Sequence, residues 1–205
     1  MVLQMSAAQT PLAAGFDDPV QQSQQAFRAL LDAMARPGRV VQVPTGAGHP
    51  DGLSPALAAA VLTLADLDTP VWLGPGFDGD AMKTWLRFHS GAPLATQPDQ
   101  AVFALLDGRQ MPALDSFAFG TDEAPDRGAT LFIQVPSLTG AHGMIWRGPG
   151  IKDSVAVPFC GLDQAIWRRR AALSIEFPRG LDLYLGCGQD VLALPRSTAI
   201  TFEGA

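Results

Sequence analysis

Cysteine, lysine and histidine are scarce in this 205-residue chain, and each shortage removes a class of chemistry. The two cysteines, Cys160 and Cys187, are too few for an iron-sulfur cluster, which needs several closely spaced thiolates. They are also too few for a disulfide scaffold, which points to reduced thiols in a cytoplasm. The histidines, His49, His89 and His142, have no paired spacing of the kind that zinc sites use, so no metal site is expected. Of the two lysines, Lys83 and Lys152, neither completes a phosphate-binding loop: "GMIWRGPGIKD" has the glycine spacing at Gly143 and Gly148 but Pro149 where the lysine belongs. No basic run exceeds Arg168–Arg170 and the net charge is −6, which leaves no electrostatic footprint for nucleic acid. Long apolar runs are missing too. The longest, "ALAAAVLTLA" at 56–65, is half of what spans a bilayer, and no basic region precedes an apolar stretch at the N-terminus. The expectation is a soluble, cytoplasmic protein that contacts neither membrane nor nucleic acid.

What the chain does have is apolar residues, 47% of the total against 17% charged. A chain of this length can bury a large core, and the surplus favours a place in an assembly. Residues 1–16 lack any amphipathic period and read as a mobile tail, with order starting near Asp17; residues 17–205 then form a single domain. An acidic pair and Pro19 open a helix that Gly38 closes, with Phe27, Leu30, Leu31 and Met34 on its predicted buried stripe. A strand at 39–43 follows. Ser54 and Pro55 start a second helix, apolar all round, and a third, "DAMKTWLRFH", ends at Gly91. Strands are expected at 70–73, 101–106, 130–135 and 143–148, a further helix within 162–176, and a closing hairpin over 181–195. Interleaved helices and strands without a repeat predict an α/β fold: three layers around a mixed sheet, parallel at the crossovers and antiparallel in the hairpin. The Pro- and Gly-rich stretches 44–55 and 107–128 read as surface connections, the second long enough to serve function or a partner.

Four residues are candidates for binding a ligand. Arg87 can fork onto a phosphate or phosphonate while His89 exchanges a proton near neutral pH, though both also fall in the last turn of a helix, where the dipole favours cations without any function. Arg179 and Arg196 flank the hairpin at one end and can hold an anion, a partner's carboxylates or only solvent. Cys187 has no adjacent cation or helix N-terminus to activate it and reads as a strand-closing core residue. No catalytic residue is identifiable.

Six stretches, taken in order and spacing, carry a resemblance: "QQAFRALLDAMARPGRV" (24–40), "LTLADLDTPVWL" (62–73), "LRFHSGAPL" (86–94), "RGATLFIQVPSL" (127–138), "RGPGI" (147–151) and "FPRGLDLYLGCGQDVLALPRST" (177–198). Together they resemble the H-subunit family of the bacterial carbon-phosphorus lyase system, PhnH. The resemblance implies a subunit of the core complex that lets bacteria use phosphonates as a phosphorus source. With subunits G, I and L, such a protein supports displacement of adenine from ATP by an alkylphosphonate, giving an α-D-ribose 1-alkylphosphonate 5-triphosphate; subunit J later breaks the carbon-phosphorus bond. It further implies a homodimer, contacts with subunits G, I and J, and a fold like that of pyridoxal-phosphate-dependent transferases without that cofactor. Neither Lys83 nor Lys152 has a Schiff-base setting, which agrees. The family supplies no catalytic residue to carry over. Two readings follow: a structural or accessory subunit of the transferase and lyase assembly, or a small-ligand subunit with a nucleotide or phosphonate site at a dimer interface.

Overall fold

The computed structural model describes residues 12–44, 46 and 48–202. Most of the segment read as a tail, residues 1–11, lies outside them, whereas Ala13 and Phe16 pack against the helical core.

Helix α1 (Pro19–Ala35) starts where its chemistry dictates, the Asp18 carboxylate accepting from the Gln21 amide ahead of Pro19. Its buried face matches the predicted stripe at Leu30 and, at the margin, Met34, but not at Phe27 and Leu31. Ala26, Leu30 and Ala33 are buried and Met34 packs at the margin, while Phe27 and Leu31 are 48% and 57% exposed. The cause is the neighbour, helix α2 (Pro55–Leu64), whose Ala56–Val61 run is buried throughout. Two alanine-rich faces approach closely, and that contact turns the two larger side chains outward. The α2 cap is as expected, the Ser54 hydroxyl accepting from the Leu57 amide. Helix α3 (Asp80–Ser90) buries Met82, Trp85 and Leu86 and stops at Gly91 with φ of 70°, a left-handed end that glycine adopts without strain.

The main sheet has six strands in the order β1 (Val40–Gln42), β8 (Asp190–Leu194), β7 (Asp182–Cys187), β4 (Thr130–Gln134), β3 (Phe103–Asp107), β2 (Val71–Leu73). The pairs among β2, β3, β4 and β7 are parallel, and β8 lies antiparallel between β7 and β1. The sheet is thus mixed, as the interleaved pattern predicts. Alternation along the strands splits the core in two. Leu105, Phe132 and Tyr184 face α1, α2 and α3, while Leu106, Ile133 and Leu185 face the opposite side. A second sheet covers that opposite side: β6 (Val155–Pro158), β5 (His142–Arg147) and β9 (Ala199–Phe202), all antiparallel, beside helix α4 (Gln164–Ala172). Of its strands only β5 is foreseeable from sequence. The connection 107–128 is less superficial than its composition suggests, because the short 3-10 turn Leu114–Ser116 carries Leu114, and Phe117 just after it, into the core, with Phe117 edge-on to Trp72 at 5.8 Å.

Gly186 sets how closely α2 approaches the sheet, since a Cβ there would lie 2.4 Å from Leu57 Cγ. Leu57 is fully buried and has nowhere to retreat. Gly186→Ala is therefore expected to cost about 2 kcal/mol through overpacking, measurable as a lower urea midpoint with an unchanged slope. A neutral result would mean that α2 shifts freely on the sheet.

Candidate functional site

The hairpin of β7 and β8 pairs Leu183 with Leu194, which returns Arg196 to the start of β7. There the Arg196 amide donates to Asp182 Oδ1 at 2.7 Å, and its Nε and Nη2 donate to Oδ2 at 3.1 and 2.6 Å. Nη1 donates to the Pro125 carbonyl and Nη2 also reaches the Gly128 carbonyl at 3.4 Å. The guanidinium thus fastens the 107–128 connection to the hairpin. Gly128 is small for this reason: a Cβ there would stand 2.2 Å from the Gly180 carbonyl oxygen and 2.8 Å from Arg196 Nη1. Arg179, next to Gly180, pairs with Glu176 and with Asp122, the latter at 3.2 Å. The structure brings Arg179 and Arg196 together as the sequence suggests, and gives each of them carboxylates from this chain.

Arg87 and His89 end α3. Arg87 is exposed and forms no ion pair among the described residues, whereas His89 Nε2 donates to the Ala13 carbonyl at 2.9 Å. Trp85 Nε1 donates likewise to Ala14 at 3.3 Å, so this helix holds the strap at 12–16. Both pairs of candidate residues lie toward the edge where the parallel strands begin. However, β7 and β2 are separated by β4 and β3, roughly 14 Å at the usual strand spacing, so the four residues form two places and not one. A cleft of about 790 Å³ opens beside α3, with His49, Asp51, Gly76, Asp80 and Trp85 among its lining. Its carboxylates, with no Lys or Arg to balance them, are ill suited to a triphosphate or phosphonate.

At the opposite edge, where open α/β sheets commonly bind ligands, the polar groups satisfy one another. The Gln134 amide accepts from the Ser54 amide at 2.7 Å and donates to the Gly52 carbonyl at 2.6 Å, which occupies the start of α2. Asp107, buried at the end of β3, accepts from Arg109 Nε at 3.0 Å and Nη2 at 2.7 Å. The hydrogen bond from the Arg109 side chain holds the Asp107 carboxyl below the usual carboxylate range, against the opposing effect of burial. A carboxyl whose folded-state pKa is lowered stabilises the fold above its unfolded value, and that contribution disappears as pH falls through the folded value. Asp107→Asn is accordingly expected to flatten the loss of stability below about pH 4, read from urea midpoints across pH. An unchanged slope would show that Arg109 does not hold Asp107 in solution. Asp107 and Gln134 are not singled out in the sequence; the available signal is a polar residue ending an otherwise apolar strand.

Both thiols are free. Cys160 is buried, and burial pushes its thiol up to about 12, while Cys187 Sγ donates to the Pro136 carbonyl at 3.4 Å. Among the described residues no group of three or more His, Cys, Asp or Glu side chains gathers to hold a metal ion, and no helix is long and apolar enough to cross a membrane. Arg170, the last of the basic run on α4, escapes a reading by composition. It is 2% exposed, donates to the Pro195 carbonyl at 2.9 Å, and burial lowers its guanidinium to about 10.

Comparison with known proteins finds that the family model for bacterial phosphonate metabolism protein (PhnH) matches residues 14–201. One relative is the alpha-D-ribose 1-methylphosphonate 5-triphosphate synthase subunit PhnH of Rhizobium meliloti (strain 1021). It is 40% identical over 200 residues, covering 97% of this chain and 100% of the relative. Another is the putative C-P lyase subunit protein HtxG of Stutzerimonas stutzeri, 32% identical over 186 residues, covering 89% of this chain and 87% of the relative.

Proposed function

The chain belongs to the PhnH family, and on that premise we propose that it is an accessory subunit of the carbon-phosphorus lyase core complex. Its role is to support formation of α-D-ribose 1-methylphosphonate 5-triphosphate from ATP and methylphosphonate in company with its partner subunits. The end-to-end match to a synthase subunit carries this reading. Two features support the accessory role. Among the candidate residues, Arg179 and Arg196 are engaged with carboxylates of the chain itself and His89 holds the strap at 12–16. Large apolar side chains also stand in solvent, including Val20 at 80%, Phe88 at 71% and Ile175 at 86% exposed, as in a chain that buries more surface against other subunits. A cytoplasmic homodimer with a layout like that of the pyridoxal-phosphate-dependent transferases, and contacts with subunits G, I and J, belong to the same proposal.

A tagged copy co-expressed with subunits G, I and J is expected to co-purify with them at a stable size on gel filtration. Elution of the chain without the others would overturn the subunit reading. The isolated chain is expected to give no product from ATP and methylphosphonate; turnover by it alone would overturn the accessory role. The exposure of Arg87 favours a second reading, a nucleotide or phosphonate site at a dimer interface. Calorimetry with ATP and with methylphosphonate separates the two, since absence of heat at millimolar ligand removes this second reading.

A further inference from the structure

The inner face between β5, β9 and α4 carries three buried polar atoms without a hydrogen-bond partner: Trp146 Nε1, Arg170 Nε and Thr198 Oγ1. The fold places them together. Trp146 is in register with Ile200 on one face of the small sheet, and just beyond the paired residues Thr198 lies against Gly148, where a Cβ would stand 3.1 Å from Thr198 Cα and 3.5 Å from its Oγ1. Helix α4 covers that face, with Trp167 at 6.0 Å from the Trp146 ring and Arg170 one turn further on. One oxygen ties the rest, because the Pro195 carbonyl accepts both from Arg170 Nη2 at 2.9 Å and from the Thr198 amide at 3.0 Å. Trp146 and Thr198 are fully buried and Arg170 is 2% exposed.

Charge at this place does not balance. Arg170, Arg196 and Asp182 are the charged groups that act on one another here. Both oxygens of Asp182 are taken by Arg196, and the hydrogen-bond acceptor of Arg170 is a neutral carbonyl. The cluster keeps one buried positive charge, an arrangement that strongly favours a counter-ion. An indole N–H and a guanidinium N–H can only donate, and a threonine hydroxyl can donate, so the missing partner is an acceptor. Burial on every side restricts it to a small one. We propose that a monovalent anion of the chloride class occupies this place, held by Arg170 Nε, Trp146 Nε1 and Thr198 Oγ1, and locks α4 onto the small sheet.

An anion bound only by the folded chain raises stability with its concentration. Thermal melts of the full chain in sodium chloride and in sodium gluconate at equal ionic strength are expected to differ by about 4 °C when chloride stands tenfold above its Kd. Thr198→Val keeps the shape, removes one donor and is expected to shrink that difference. Equal melting in the two salts, or an equal chloride advantage in wild type and Thr198→Val, would overturn the proposal. Crystals soaked in bromide give a reading independent of any variant: an anomalous peak beside Arg170 Nε supports the site, and a solvent peak there without anomalous signal refutes it.

Discussion

Phe132→Ala is expected to lower the unfolding free energy by about 4 kcal/mol, the usual range for an aromatic residue removed from a core. Phe132 is fully buried in β4, paired with Leu105 on one side and Tyr184 on the other. Its ring lies 5.5 Å from that of Phe103 and 5.7 Å from that of Tyr184, so three neighbouring strands contribute one aromatic row beneath the helices. Tyr184 extends the row upward: its hydroxyl donates to the Leu30 carbonyl at 3.2 Å and thereby ties α1 to the sheet. Burial pushes the Tyr184 hydroxyl up from its ordinary pKa, so it stays a donor at any physiological pH. Deleting Phe132 therefore leaves a cavity, removes two aromatic contacts and loosens the residue that anchors α1. Phe132→Leu is expected to cost less than half as much. For a chain of this length the alanine variant corresponds to a fall of about 12 °C in Tm. A loss under about 2 kcal/mol by urea unfolding would place the centre of this core elsewhere.

Local signals in the sequence account for the elements that obey them. Ser54-Pro55, Gly91 and the apolar strands at 101–106 and 130–135 are found where capping, left-handed termination and continuous hydrophobicity put them. What stays hidden depends on partners distant in the chain. Strands β6 and β9 have four residues each and join β5, so neither short apolar stretch reveals its partner. The face of α1 is decided by how closely α2 can approach, which favours Ala26 and Ala33 over the larger Phe27 and Leu31. At the site, residue type identifies Arg179 and Arg196 as cations but cannot show that Asp122 and Asp182 meet them, since those two pairs form only when the 107–128 connection and the hairpin are assembled; the third partner, Glu176, is three residues from Arg179. Arg170 is the opposite case. Arginines are mostly exposed, and the Arg168–Arg170 run enters the sequence reading only as net charge, yet the helical spacing from buried Trp167 turns this one guanidinium inward.

Replacing Asp182 by Ala is expected to cost about 3 kcal/mol, because removing one partner of a largely buried ion pair leaves the other charge uncompensated. The side chains of Arg196 and Asp182 are only 15% and 21% exposed, so water screens them little. Two further consequences sharpen the expectation. Asp182 is also the nearby negative charge that favours the charged form of Arg170, so its loss leaves the repulsion between Arg170 and Arg196 unopposed by it. Its Oδ1 accepts the Arg196 amide as well, which fixes the backbone just beyond β8. Asp182→Asn preserves an acceptor for that amide and is expected to cost about 2 kcal/mol, which reports the lost charge, while the further loss of about 1 kcal/mol in Asp182→Ala reports the missing acceptor. The double variant Asp182→Asn, Arg196→Met should be more stable than the sum of the two single losses predicts, by about 1–2 kcal/mol, since the single changes remove the same pair twice over. Additive losses in the urea series would mean that Arg196 acts through its bonds to the Pro125 and Gly128 carbonyls and not through Asp182.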